Sequence, residues 1–168
     1  GLSSDEKYYF IMSSDHNTSE QYYFSVDEET PKPKLIKKRK KGIIYSVSSW
    51  NGYFYNHTNE DAEDFKIETC KDLSNQKWKT YIAAKDEVLI GGLVFLNDWI
   101  IRSETSNALG KIFARNIKTN AEEEIKFADE KVIDPGITLK QRDRNTDYIH
   151  LGYSSPKTQH RVYLYNLK

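Results

Sequence analysis

Serine, histidine, cysteine and clustered charge are the residue types from which this chain could build chemistry. Ser154 and Ser155 follow Gly152 and Tyr153 and lead to Pro156 and Lys157. A serine that transfers acyl groups sits on a strained turn, usually within G-x-S-x-G, with a histidine and an acid arranged behind it. That motif is absent, and the two serines read as a loop of the last hairpin. His16, His57, His150 and His160 read as isolated strand or turn histidines rather than a ligand set, so neither metal nor cofactor is expected. The basic run Lys34 to Lys41 (KLIKKRKK) has the composition of a phosphate-binding or targeting segment. It also reads as a solvated connection at the outer edge of a sheet, where lysines discourage edge-to-edge pairing. Carboxylates at Asp61, Glu63 and Asp64, and again at Glu122 to Glu124, fall in predicted turns and serve solubility.

What could position such residues follows from composition. Among 168 residues stand 12 Tyr, 7 Phe and 3 Trp, with many Ile and Val, a mixture suited to pleated, half-buried surfaces rather than helices. The 25 basic and 25 acidic side chains cancel, which leaves no global field to attract nucleic acid or an anionic membrane. No apolar stretch approaches the roughly 18 to 20 residues of a spanning helix. The longest, Val88 to Leu96, contains Gly91 and Gly92. Cys70 has no second cysteine to pair with, and the polar start from Gly1 to Lys7 is not a signal peptide, so the triplets at Asn17 and Asn56 are not read as glycan acceptors. A reducing, cytoplasmic setting is expected.

The chain repeats itself. Segments opening at Lys7, Asn51, Asn97 and Thr146 each begin with an aromatic anchor (Tyr9, Tyr53, Trp99, Tyr148) and a short apolar run. Each then crosses a polar turn and re-enters an alternating run: Tyr22 to Val26, Phe65 to Thr69, Lys111 to Ala114, Arg161 to Tyr165. A third short strand is predicted at Leu35 to Lys37, Trp78 to Ile82 and Glu124 to Phe127. A further run, Ile43 to Ser49, Val88 to Leu96 or Ile137 to Gln141, leads into the next anchor. A unit of four antiparallel strands recurring every ~40 to 50 residues has the length of a β-propeller blade. Apolar residues never keep a helical period for more than a turn or so, and Pro31, Pro33, Pro135 and Pro156 all fall between runs.

The expectation is therefore all-β: a partial propeller over residues 1–168, about three and a half four-stranded blades. The strands run second to fourth, first to fourth twice, then first to third. The aromatic anchors are read as core, because alternating apolar residues follow each.

Three segments carry a family resemblance: NDWIIRSETSNALGKIF from Asn97, GYSS at Gly152 to Ser155 before a VYLYNL strand, and Thr58-Asn59 followed by Phe65. Together they resemble the propeller domain of the prolyl oligopeptidase family of serine peptidases, in its oligopeptidase B branch. The resemblance runs from about Asn51 onward and rests on order and spacing. The chain departs from the family at Glu104-Thr105, where Glu-Arg is usual, at Ala108-Leu109, where Gly precedes Leu, and at Gln159, where Pro is usual. The resemblance implies a seven-bladed propeller over the mouth of an α/β-hydrolase domain of the same polypeptide. It would admit oligopeptides and exclude folded proteins, and the hydrolase, carrying the Ser-Asp-His triad, would cleave after Arg or Lys. Loops at Ser103 to Asn107 and Ser154 to Thr158, with Glu104, Asn107, Ser154 and Ser155, are the expected contacts with that domain. The segment itself is expected to be inactive, and to self-associate through exposed edges and faces. A recognition propeller that binds peptides or proteins, with no peptidase attached, is the alternative from a different class; a sugar-binding propeller is a third.

Overall fold

A computed structural model of the chain describes residues 1–126, 136–137, 143–155 and 158–168. The described residues form no helix; they form fourteen strands in four antiparallel sheets. The first sheet holds β1 (Tyr8–Ser14), β2 (Ser19–Ser25) and β3 (Lys34–Leu35), and the second β4 (Tyr45–Trp50), β5 (Tyr53–Thr58), β6 (Lys66–Cys70) and β7 (Lys79–Ile82). The third holds β8 (Leu89–Leu96), β9 (Trp99–Ser106), β10 (Leu109–Asn116) and β11 (Glu122–Ile125), and the fourth β12 (Gly136–Ile137), β13 (Tyr148–Ser155) and β14 (Thr158–Asn166). In every sheet spatial order follows chain order, as in a propeller blade. Sheets of three, four, four and three strands reproduce the predicted phase of the repeat. Outer strands are shorter than predicted at β3 and β7, and β11 begins two residues early. Phe127, Pro135, the run after Ile137 and Pro156 lie outside the described residues.

Two compact units divide the chain, Gly1–Lys85 and Asp86–Lys168. In the first, Phe10, Ile36, Tyr45, Val47, Phe54 and Cys70 belong to one buried cluster that joins the first two sheets. Side chains also join them by mimicking strand pairing. Ser19 Oγ accepts from the Tyr45 amide at 2.7 Å and donates to the Tyr45 carbonyl at 2.9 Å. Gln21 Oε1 accepts from the Val47 amide at 2.7 Å while its Nε2 donates to the Val47 carbonyl at 3.0 Å. Spacing of two on β2 matches spacing of two on β4, so two β2 side chains satisfy the backbone of β4 along the edge that β5 leaves free. The Tyr45 hydroxyl completes the lock, accepting from the Gln21 amide at 2.8 Å and donating to the Lys37 carbonyl at 2.7 Å.

In the second unit Ile101, Ile112, Ala114 and Ile125 of the third sheet pack with Ile149, Leu151 and Leu167. Gly91 and Gly92 stand in a bulge of β8, between Ile90 and Leu93. A Cβ at Gly91 would lie 2.2 Å from Ser103 Oγ, so glycine permits the close approach of β9 there.

The anchors are not core. Tyr9 is 43% and Tyr148 47% exposed, and Tyr53 and Trp99 are half-buried. The next residue in each strand, Phe10, Phe54, Ile100 or Ile149, is buried instead. Alternation places each anchor on the opposite face from its neighbour, and the covered face is the neighbour's.

Two hairpins have two-residue turns in which both central residues take positive φ, the requirement of a type I′ turn. Asn51 and Gly52 (φ 49° and 76°) meet it with the favoured pair. Asn107 and Ala108 (φ 50° and 58°) meet it with an alanine, whose Cβ crowds the following carbonyl in the left-handed region. Ala108→Gly is therefore expected to stabilise the chain by about 1 kcal/mol. A shift of the urea midpoint to higher concentration at unchanged slope is the readout; a lower midpoint contradicts the strain.

Candidate functional site

The densest charged cluster of the second unit is built on the middle strands of the third sheet. Arg102 and Glu104, two apart on β9, face the same side and are 2% and 5% exposed. Arg102 Nε donates to Glu104 Oε1 at 2.9 Å. The guanidinium then crosses β10 with its Cζ 4.8 Å from the Phe113 ring centre. On β11 it forms a bidentate pair with Glu122, Nη1 to Oε2 at 2.6 Å and Nη2 to Oε1 at 3.0 Å. Arg115 Nη1 stands 3.8 Å from the same Glu122 Oε2. Burial works against the guanidinium charge, but hydrogen bonds and charge from Glu122 and Glu104 outweigh it and hold the Arg102 pKa up. Such a planar, doubly paired guanidinium fixes the relative positions of three strands.

This placement corrects one expectation. Ser103 to Ser106 belong to β9, not to a loop, and Glu104 is buried and committed to Arg102. Asn107 does sit exposed at the turn. Ser154 and Ser155 are also strand residues, at the end of β13, where the register with β14 shifts between Tyr153 and Ser155. Ser154 is exposed. The Gly and Ser composition suggested a turn, but pairing with β14 continues past it.

Beside the Arg102 cluster lies a pocket of about 280 Å³ lined by Trp99, Glu122, Glu123, Tyr165, Asn166 and Lys168. The Tyr165 hydroxyl donates to Glu123 Oε1 at 3.5 Å. Asp147 accepts from Asn97 Nδ2 at 2.9 Å and pairs with Lys168 at 2.5 Å, which with the hydrogen bonds holds its carboxyl below the usual range.

The basic run is largely spent on local partners. Arg39 donates to Asp15 Oδ2 at 3.2 Å, Thr18 Oγ1 at 2.8 Å and Ser13 Oγ at 2.9 Å, tying the β3–β4 connection to the β1–β2 hairpin. Lys37 pairs with Glu60 at 3.1 Å and lies 5.6 Å from the Trp78 ring centre; Lys34 pairs with Glu28 at 3.0 Å. Thr58 and Asn59, of the family-like segment, act on backbone. Thr58 Oγ1 donates to the Ile44 carbonyl at 3.0 Å, and Asn59 Oδ1 accepts from the Ile44 amide at 2.7 Å. Phe65 stacks on His57 with ring centres 4.6 Å apart. Among the described residues, no three or more His, Cys, Asp and Glu side chains gather as metal ligands.

Asn56 is fully buried, which removes one of the two glycosylation triplets from reach. Cys70 is buried, and burial pushes its thiol up to about 11. Folding therefore keeps the thiol protonated. A thiol reagent at pH 8 is expected to leave folded Cys70 unmodified and to label it in urea; rapid labelling of the folded chain contradicts this. Because the folded pKa is raised, the associated stability is present below the ordinary thiol pKa and declines as pH climbs toward 11.

Sheets of antiparallel strands ordered from one side to the other, packed face to face, with charge used to brace strands, define a propeller segment. The chain belongs to the prolyl oligopeptidase family: residues 1–168 match its N-terminal beta-propeller domain. It is 26% identical over 137 residues to dipeptidyl aminopeptidase BI of Pseudoxanthomonas mexicana, covering 80% of this chain and 18% of that protein. It is 33% identical over 76 residues to protease 2 of Moraxella lacunata, 44% of this chain and 11% of that one. The fold superposes on oligopeptidase B of Trypanosoma brucei, solved in a closed form with covalently bound antipain, with a TM-score of 0.89 at 22% identity. That match covers 99% of this chain and 25% of the trypanosomal one. The chain thus spans a quarter or less of the length of these relatives.

Proposed function

We propose that this chain is part of the access-controlling propeller of a serine oligopeptidase that cleaves oligopeptides after arginine or lysine. The α/β-hydrolase domain of the same polypeptide carries the chemistry. The observation that carries the reading is the match of the whole chain to the N-terminal propeller of the family. A wall that filters substrates by size must be stiff, and both units are braced accordingly: Ser19 and Gln21 lock two sheets of the first, and Arg102 braces three strands of the second. Gating then follows from movement of a rigid propeller against the hydrolase domain, excluding water and large substrates when closed. The trypanosomal oligopeptidase B, described in a closed form, is in keeping with such a motion. The exposed turn residue Asn107 and the exposed Ser154 near the β13–β14 hairpin tip are the positions assigned to that contact, with Ser155 beside Ser154 in sequence. A buried thiol with a raised pKa suits a reducing, cytoplasmic setting.

Two measurements test the reading. The coding sequence beyond Lys168 is expected to contain a G-x-S-x-G elbow followed by Asp and then His. Its absence would favour a recognition propeller. The chain assayed alone on Arg- and Lys-containing oligopeptides is expected to give no turnover, and real hydrolysis overturns the division of labour.

A further inference from the structure

Each unit leaves one apolar sheet face bare. In the first sheet Tyr8, Phe10 and Tyr23 point toward the second sheet, with Tyr8 and Phe54 ring centres 5.0 Å apart. Alternation turns Tyr9, Ile11 and Phe24 the other way, joined by Leu2, which bridges to Tyr9. Tyr9 and Phe24 stack on this outward face at 5.4 Å, and Ile11 is 47% exposed. In the fourth sheet Ile149 and Leu151 pack inward. Tyr148 and, by register opposite His150 and Gly152, Leu164 and Val162 face outward; Leu164 is 60% exposed.

We propose that copies of this chain associate head to tail, the outward face of the β1–β2–β3 sheet in one copy packing on the outward face of the β12–β13–β14 sheet in the next. Four features point to a second copy as the occupant. Both faces are carried by the same chain, so every copy supplies both halves of the contact. Both have the alternating aromatic and branched pattern by which sheets already pack inside each unit, and sheet-on-sheet stacking is the geometry that pattern serves. Contiguous apolar surface of this kind on a soluble domain marks an interaction site. Their polar members are complementary: Glu20, on the Ile11 face by its pairing with Ser13, offers a carboxylate, and His150 beside Leu164 offers an imidazole N–H. Because the two faces differ, the contact is heterologous and each association leaves both kinds of face available for another.

Sedimentation of the 168-residue chain across low to high micromolar concentration tests this. The weight-average mass is expected to rise at least twofold over the series. Ile11→Glu and Leu164→Glu each place a charge on one exposed face, and both variants are expected to stay monomeric with the parent's circular dichroism. Ile11→Glu keeps the β14 face and Leu164→Glu keeps the β1 face, so a mixture of the two is expected to form a dimer and nothing larger. A parent that stays monomeric throughout overturns the proposal. So does an assembly that only one of the two substitutions abolishes, which would mean like faces pairing, or a mixture that fails to dimerise.

Discussion

Arg102→Ala is expected to destabilise the chain by about 3–5 kcal/mol, the cost of breaking a buried pair from one side. Two effects combine. The substitution removes the guanidinium that bridges β9 and β11 across Phe113, and it leaves Glu104, 5% exposed, without the Nε donor 2.9 Å away. Glu122 is less affected, because its carboxylate reaches solvent and retains Arg115 at 3.8 Å. The asymmetry yields a sharper comparison. Replacing Arg102 and Glu104 together by Leu removes both buried charges and is expected to recover much of the loss, since well-packed apolar residues often equal a buried pair in stability. The urea midpoints of the parent, the single and the double variants measure this. A single variant within about 1 kcal/mol of the parent would show that the cluster is as weak as an exposed pair.

The repeat was legible because it depends on local rules. Polar turns between apolar runs mark hairpins, and a hairpin recurring at blade length fixes strand order and phase. Which face of a strand is covered is not local. The reading that took Tyr9 and Tyr148 as core failed because alternation separates two faces without saying which one meets a neighbour. Phe10 and Ile149 meet it. Arg102 and Glu104 went unnoticed for the complementary reason: charge inside a strand reads as solvated surface, and only pairing with Glu122 on β11 shows what the charge does. The R-x-E spacing inside an otherwise apolar strand was the available signal. At Ala108 the departure from the family's glycine was visible, but that alanine adopts the glycine conformation is a property of the turn. Ser19 and Gln21 were grouped with the polar turn before Tyr22, where small polar residues are commonplace, and their role depends on a strand more than twenty residues later.

Gln21→Leu has the next largest expected effect. Val47, 2% exposed, has both its amide and its carbonyl satisfied by the Gln21 side chain. Leucine fills similar volume and satisfies neither, and each orphaned buried group costs roughly 1–3 kcal/mol, so a loss of about 3 kcal/mol is expected. Hydrogen exchange separates this cause from a general loosening. The Val47 amide is expected to lose protection in the variant while the Tyr45 amide, held at 2.7 Å by Ser19 Oγ, keeps most of its own. Equal acceleration at both amides would instead mean that the two sheets part as a whole. Gln21→Glu adds a pH signature. An ionised carboxylate can accept from the Val47 amide but faces the Val47 carbonyl with no proton to donate, so burial favours the protonated acid and raises its folded pKa. The stability tied to that proton is present at acid pH and is lost as pH rises through the raised value. A Glu variant that gains stability on acidification relative to the parent would identify side-chain pairing of β4, rather than packing alone, as what holds these blades face to face.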